Sequence, residues 1–246
     1  MPKYILIYCL AFLGVFGIAN AQGGRSYKEI GVMAGPVFFQ SDFGARDTFE
    51  NYYRNNGVSI GLFYYLSTIE SYDQLKENFK LRLELSYMKA NLNHYGVWVD
   101  PANDGIFANQ LRAMSGKVEA TNFGFQVEYY PFKTDDYNRG VNFSPYLSAG
   151  AQVSSTSSNT TSPTVLPLKY QNGAISSGSI VVGSLTTSIG ARYLLDDFSA
   201  LSLDARVQWY MSDWVDGLNP STSLYPENKS NDWSTTINFG YIYYFD

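Results

Sequence analysis

Hydrophobic and polar residues alternate along several segments of the chain, which is the pattern of a β-strand whose two faces meet different surroundings. The alternation is clearest from Phe79 to Tyr87, where Phe, Leu and Tyr occupy one face and Lys, Arg, Glu and Ser the other. Three further segments show it: Asn122–Tyr129, Leu201–Trp209 and Trp233–Phe245. Four weaker segments are rich in Gly, Tyr, Ser and β-branched residues: Glu29–Phe38, Gly57–Leu66, Phe143–Val153 and Ile180–Tyr193. The pattern predicts an all-β chain with eight strands.

The connections between these strands alternate in length. The long ones follow the first, third, fifth and seventh strands and cover residues 39–56, 91–116, 154–179 and 212–231. The shorter ones cover residues 67–78, 131–142 and 194–200. Outer-membrane barrels have long outer loops, short periplasmic turns and an even number of antiparallel strands. The sequence therefore predicts an eight-stranded antiparallel transmembrane β-barrel. We expect residues 154–164, rich in Ser, Thr and Asn, to form a mobile loop.

Aromatic residues and the N-terminus both agree with export to the cell outer membrane. Aromatic residues make up 17% of the chain although the mean hydropathy is only −0.18, as in barrels with aromatic girdles and polar loops. Lys3, the apolar stretch Ile5–Ile18 and Ala19-Asn20-Ala21 predict a cleaved signal peptide over residues 1–21, with the barrel domain over 22–246. The alternative, an uncleaved anchor, is disfavoured because the apolar stretch is short for a spanning helix.

Removing residues 1–21 changes the chemistry that is available to the chain. Cys9 leaves with the signal peptide, so neither a disulfide nor a thiolate metal site is expected. Without Lys3 the chain has 22 acidic and 16 basic residues, a net charge of −6. Such a chain is a poor nucleic-acid binder.

The polar face of the strands is predicted to line the lumen. A charge at mid-bilayer costs about 2–4 kcal/mol for Arg or Lys, so the apolar face must contact lipid. Eight charged residues are then expected inside: Glu29, Lys80, Arg82, Glu84, Glu128, Arg192, Asp204 and Arg206. The four acids balance the four bases, and an eight-stranded interior is just wide enough for side chains to fill. We therefore favour a charge-paired core over a proton or ion path.

Two other interpretations follow from the same residues. In a water-soluble, lipocalin-like barrel the faces would be inverted, and an apolar cavity would bind a small ligand. A narrow pore is the second alternative to a filled core.

Candidate chemistry is sparse. His94 is the only histidine, at the outer end of the third strand, where an outer-membrane hydrolase could use it with a nearby aspartate such as Asp100 or Asp104. An ordinary rim histidine is the simpler interpretation. The stretches Asp100–Gly105 and Asp213–Gly217 contain oxygen ligands without the spacing of a calcium-binding EF-hand, and Asp-Gly pairs mainly form turns. We assign no catalytic residue, cofactor or metal site.

Several stretches resemble Bacteroidota outer-membrane barrels. Glu29–Gly35 resembles their first strand. The segments Tyr210–Pro220 and Tyr225–Trp233 resemble an uncharacterised flavobacterial barrel family, and this resemblance extends over most of the chain. The chain is more distantly similar to PorG, the small barrel of the type IX secretion system, through Ser41–Gly44 and Asp213–Asp216. The C-terminal Tyr241–Asp246 resembles the signal read by the barrel-assembly machinery, which implies a transient partner.

The resemblance and the absence of a catalytic set together predict a non-enzymatic barrel in contact with outer-membrane lipid. We expect it to be a structural or accessory component of an envelope assembly, with type IX secretion as the specific expectation. The alternatives are a narrow pore, a ligand-binding barrel, and a hydrolase that uses His94. The expected contact loop for an envelope protein partner contains four residues: Asp213, Trp214, Asp216 and Trp233.

Overall fold

Eight antiparallel strands, each hydrogen-bonded to the next in sequence and the last to the first, form a closed barrel. The computed structural model describes residues 25–46, 48–69, 78–132, 142–162, 175–219 and 230–245. The strands are β1 Arg25–Gln40, β2 Asn56–Ile69, β3 Phe79–Asn93, β4 Ser115–Tyr129, β5 Phe143–Thr161, β6 Gly178–Asp196, β7 Ser199–Tyr210 and β8 Trp233–Phe245. The predicted eight-stranded antiparallel barrel is confirmed. The predicted signal peptide lies outside the described residues.

The end of the barrel that holds the long connections also contains short helices. Loop 1 (residues 41–55) contains helix α1, Phe49–Arg54. Loop 2 (residues 94–114) contains a single 3₁₀ turn, Val97–Val99, and helix α2, Ile106–Ala113. We call this end the loop end and the opposite end, where β1 begins and β8 finishes, the terminal end. Within the described ranges, the helices are all too short or too polar to cross a bilayer.

The expected mobile loop at residues 154–164 is wrong over residues 154–161, which belong to β5. The composition suggested disorder, but the hydroxyl side chains alternate and every second one faces inward. Ser154 Oγ donates to Asn122 Oδ1 at 2.7 Å, and Thr160 Oγ1 donates to the Asp216 carbonyl at 2.9 Å. Partners on the adjacent strand β4 and in the connection after β7 thus compensate for the absence of apolar side chains.

The two faces of the sheet have the polarity that a membrane barrel needs. Leu81, Ile189, Leu203 and Phe239 point outward and are exposed, whereas the charged residues between them are buried in the lumen. The inverted, lipocalin-like arrangement is therefore wrong for this chain.

The lumen changes character along the barrel axis. On β3 the inward residues run from Lys80, Arg82 and Glu84 at the terminal end through Ser86 to an apolar stretch at the loop end. That stretch is Met88, Ala90 and Leu92. The interior is consequently charged in one half and apolar in the other.

Candidate functional site

The eight predicted lumen charges lie together and form one continuous chain of alternating charge. Arg82 occupies its middle and binds Glu128 at 2.9 Å and Asp204 at 3.1 Å. Every neighbouring pair is a salt bridge, in the order Lys80, Glu29, Arg192, Glu128, Arg82, Asp204, Arg206, Glu84. Seven bridges therefore join residues from strands β1, β3, β4, β6 and β7. These eight residues together have no net charge, and all eight side chains are buried.

Aromatic and hydroxyl groups complete the charged layer. The guanidinium of Arg192 lies over the Tyr65 ring at 4.2 Å, within the range of a cation–π contact. Tyr130 donates to Glu128 at 2.6 Å, and Tyr146 donates to Asp204 at 2.8 Å. Such partners satisfy carboxylate lone pairs that the arginines leave free, which a buried ion pair requires.

A polar layer without charges separates the charged half from the apolar half. The Gln208 side-chain amide donates to Ser184 at 2.9 Å and to Ser154 at 3.1 Å. A cavity of about 10 Å³ lies beside this layer and is lined by Ser59, Glu84, Asn122 and other residues. This volume is close to the least that holds one water molecule. This cavity is too small for a solute larger than water.

An apolar plug closes the loop end of the lumen. We use "the plug" for Phe43, Met114, Val215 and Leu218, four buried side chains that lie outside the strands. They pack against inward residues of the wall, which are Val37, Phe39, Met88, Ala90, Leu92, Val118, Ala120, Val182 and Tyr210. A bridge between Leu218 and Ile175 and a hydrogen bond from Ser176 N to the Gly217 carbonyl at 2.9 Å fix residues 217 and 218 of loop 4 (residues 211–232) in place. The sequence interpretation missed this plug.

Four aspartates and one arginine lie beside the plug. We call Asp42, Asp213, Asp216 and Asp232 the acidic cluster. Arg46 binds Asp42 at 2.6 Å and Asp213 at 3.2 Å, and lies 3.9 Å from Asp232. Asp216 instead accepts the backbone N–H groups of Asp42 at 3.0 Å and Leu218 at 2.8 Å. The cluster thus joins loop 1 to the plug, with more acidic than basic groups. No metal-holding group of three or more His, Cys, Asp or Glu occurs among the described residues.

Burial makes this cluster retain protons. It raises the pKa of Asp42 from 3.8 to about 8, aided by the Asp216 carboxylate and only partly offset by Arg46. Burial likewise raises the pKa of Asp216 to about 7, and the pKa of Asp232 is raised well above its ordinary value. A carboxyl whose pKa is higher in the folded state binds more protons when folded, so its contribution to stability falls as pH rises. For Asp42 and Asp216, this loss of stability begins at about pH 4, the ordinary pKa of an aspartate, and is complete at about pH 8, the raised pKa of Asp42.

The His94 side chain holds loop 1 in place. Its Nδ1 accepts the Gly44 N–H at 2.8 Å, and its ring lies 5.0 Å from the Phe43 ring. Burial lowers the pKa of His94 from 6.5 to about 4, so the imidazole is neutral near pH 7. With Nδ1 accepting, the proton of the neutral ring is on Nε2, an atom that is buried and without a hydrogen-bond partner among the described residues. The ring is therefore not set up to accept a proton from a nucleophile.

The predicted partner-contact residues are only partly at the surface. Asp216 has no exposed surface and anchors the plug, so its assignment to a contact loop is wrong. Asp213 is bound to Arg46. Trp214 is half-buried, and Trp233 lies in β8, where it stacks on Tyr52. The sequence placed Asp216 in a turn-rich stretch, which concealed its burial.

Loop 2 carries the exposed apolar side chains that the sequence interpretation missed. Trp98 and Phe107 are 64% and 66% exposed, and Val97 and Ile106 are exposed beside them. Arg112 fixes this loop by donating to the Asp100 carbonyl at 2.8 Å and the Asn103 carbonyl at 2.9 Å. The exposed side chains are thus carried on an ordered loop.

Comparison with known proteins gives the fold. No protein-family model matches the chain, and no curated protein matches it. Among solved structures it is similar to Neisserial surface protein A, with a TM-score of 0.50, 12% identity and coverage of 90% of this chain and 99% of that one. A major outer membrane protein from Thermus thermophilus aligns with a TM-score of 0.49 and 14% identity over 90% of this chain and all of the other. OprG from Pseudomonas aeruginosa has a TM-score of 0.42 and 14% identity, covering 89% of this chain and 97% of its own.

At these identities the similarity shows an outer-membrane type of barrel fold, without any activity or partner. The resemblance to the flavobacterial family and to PorG stays a prediction.

Proposed function

We propose that the protein is a closed outer-membrane β-barrel without enzymatic activity, which acts as a structural or accessory component of an envelope assembly. The observation that carries this proposal is the closure of the lumen at two levels, by the charge-paired chain and by the plug. The exposed apolar wall supports a position in the bilayer, because its leucine and phenylalanine side chains would otherwise face water. Export through a cleaved signal peptide belongs to the same proposal.

Closure argues against the pore alternative. A solute would have to displace the plug and then separate salt bridges whose side chains are buried. Purified protein reconstituted in a planar lipid bilayer is expected to show no step conductance above that of a protein-free bilayer. Discrete openings that persist with folded, heat-modifiable protein would contradict a closed barrel.

The local geometry of His94 likewise argues against the hydrolase alternative. Its accepting nitrogen is occupied by a backbone N–H, and its other nitrogen is buried. If the protein has any protease or lipase activity in the purified state, His94→Ala is expected to leave it unchanged. Loss of a real activity in this variant, with the barrel still folded, would contradict the proposal.

The surface proposed for an envelope protein partner is the apolar part of loop 2, formed by Val97, Trp98, Ile106 and Phe107. Aromatic residues are enriched in the centres of protein interfaces, and Trp is enriched among the few residues that contribute most of the binding energy. A loop held rigid by Arg112 loses little conformational entropy when it binds.

Site-specific photo-crosslinking in intact cells tests this surface. A photoreactive amino acid at position 98 or 107 is expected to capture a defined protein, whereas the same residue at Ile189, on the outer wall of the barrel, is not. Equal capture at all three positions, or none at 98 and 107, would count against a loop 2 partner. The similarity to PorG makes components of type IX secretion the first candidates for a captured protein.

A further inference from the structure

Helix α1 has three distinct faces, set by the spacing of its residues. Phe49, Tyr52 and Tyr53 follow an i, i+3, i+4 pattern and share one side of the helix. Glu50 and Arg54 share a second side and bind each other at 2.7 Å. The third side faces the barrel, and there Asn51 is buried and donates to the Phe43 carbonyl at 2.6 Å. The helix is therefore attached along one side and has an aromatic side and a charged side outside the barrel.

The aromatic side continues the outer wall. Tyr52 stacks on Trp233 of β8 with ring centroids 5.2 Å apart, and lies 5.8 Å from the ring of Phe38 on β1. Its hydroxyl also lies beside Thr235 of β8. These three wall residues share the outward face of the β1–β8 pair, because Phe39 and Ser234 beside them point inward. Helix α1 thus leans over the rim at the seam of the barrel.

Two aromatic residues extend this surface beyond the strands. Phe49 is 78% exposed and Tyr53 is 45% exposed, with their ring centroids 5.3 Å apart. On the charged side, the guanidinium of Arg54 lies over the Tyr95 ring of loop 2 at 4.0 Å, which fixes the rotation of the helix. The exposed rings are therefore held on the side of the helix that continues the wall.

We propose that α1 lies on the surface of the outer leaflet as an interfacial anchor, with Phe49 and Tyr53 at the boundary between headgroups and acyl chains. Aromatic side chains are enriched at this depth, since their rings are apolar and a tyrosine keeps a polar tip in water. Continuity with the lipid-facing wall favours lipid over a protein as the occupant. The helix also has its charged side turned away from the aromatic side, as interfacial helices do. The inference rests on the proposed position of the barrel in the outer membrane.

Site-directed spin labelling tests the anchor. The predicted mature chain has no cysteine, so Phe49→Cys, Tyr53→Cys, Glu50→Cys and Leu203→Cys each give one nitroxide. Power-saturation measurements in phosphatidylcholine–phosphatidylglycerol vesicles compare collision with oxygen, which partitions into lipid, and with a water-soluble nickel chelate. The control Glu50→Cys lies on the same helix, and Leu203→Cys reports the outer wall.

We expect the oxygen-to-nickel collision ratio to be several-fold higher at positions 49 and 53 than at position 50, and highest at position 203. A ratio at 49 and 53 equal to that at 50, with 203 in lipid, would overturn the anchor while leaving the barrel in the membrane. A low ratio at 203 as well would overturn the membrane position itself. Labels at 49 and 53 that are water-exposed in vesicles, but shielded from both reagents in native outer membranes, would overturn the lipid assignment in favour of a protein.

Discussion

The centre of the lumen charge chain offers the sharpest test of how this barrel is held closed. Arg82 is fully buried and is the link between Glu128 and Asp204. The substitution Arg82→Met keeps a long, unbranched side chain and removes the charge. It leaves two buried carboxylates with one cationic partner fewer, so the change measures charge compensation more than packing.

The expected loss can be worked out from the remaining partners. Removing one member of a buried ion pair costs about 3–5 kcal/mol, because the other charge stays buried without compensation. Here Glu128 keeps Arg192 at 2.8 Å and Asp204 keeps Arg206 at 3.3 Å. In addition, Nε and Nη2 of Arg82 have no hydrogen-bond partner within the described part of the chain, so the native contact is incomplete. We therefore expect a loss at the lower end, about 3 kcal/mol in the free energy of unfolding.

Urea unfolding in lipid vesicles, followed by tryptophan fluorescence, measures this loss. The matched control is Arg54→Met, the same substitution in an exposed pair on α1, for which we expect a much smaller loss, from the ion pair and the contact with the Tyr95 ring. Adding Asp204→Asn to Arg82→Met restores the net charge of the lumen and is expected to recover part of the loss. Equal stability of Arg82→Met and the native protein would refute the reasoning. A double variant that loses the sum of both single losses would do so too.

Three further predictions concern the loop end. Asp42→Asn keeps an oxygen for Arg46 and removes one charge. Hydrogen exchange of the backbone amides of residues 215–218, corrected for intrinsic rates, should therefore accelerate less between pH 5 and pH 8.5 in this variant than in the native protein. An unchanged pH response would contradict the assignment of the pH effect to Asp42. His94 should titrate near pH 4 in its single histidine NMR signal, and loop 1 should lose stability as pH falls from about 6.5 to about 4; an ordinary pKa would show that the ring is solvated. Gly217 has a φ of 77°, and an added Cβ would lie 2.5 Å from Ser158 Oγ. Gly217→Ala should therefore lower the free energy of unfolding, measured by thermal unfolding, by about 1–2 kcal/mol or more. A neutral effect would argue against this loop geometry.

The period of two explains why the charged half of the lumen was predictable. Arg82 and Glu84 have apolar neighbours on both sides in sequence, and only one direction places such neighbours in lipid. The pairing order was not predictable, because it depends on residues that lie up to 163 positions apart, such as Glu29 and Arg192. Strand number and polarity are local properties, whereas the partner of each charge depends on how the barrel closes.

The plug was missed because its residues lie in connections, where no period exists. Val215 lies between Trp214 and Asp216, in a stretch that resembles a turn. A signal was nevertheless present in the wall. Met88 and Leu92 continue the inward face of β3 beyond Glu84, so the lumen lining becomes apolar toward the loop end. An apolar lining in an otherwise polar lumen requires apolar side chains to cover it, and only the loops are long enough to supply them.

The two closures of the lumen differ in how they can respond to their surroundings. In the charge chain, four acids meet four bases, and six of the eight charges contact two partners of opposite sign, so neutrality is built into the strands themselves. In the acidic cluster, three of the four aspartates share Arg46 and the fourth, Asp216, has only backbone N–H donors, so neutrality needs bound protons. Asp216 is a member of that cluster and also holds Leu218 of the plug. Since protons are lost as pH rises, repulsion develops where the plug is fastened and not in the barrel wall. A conformational response to pH should therefore begin with the plug, while the charge chain still closes the terminal half of the lumen.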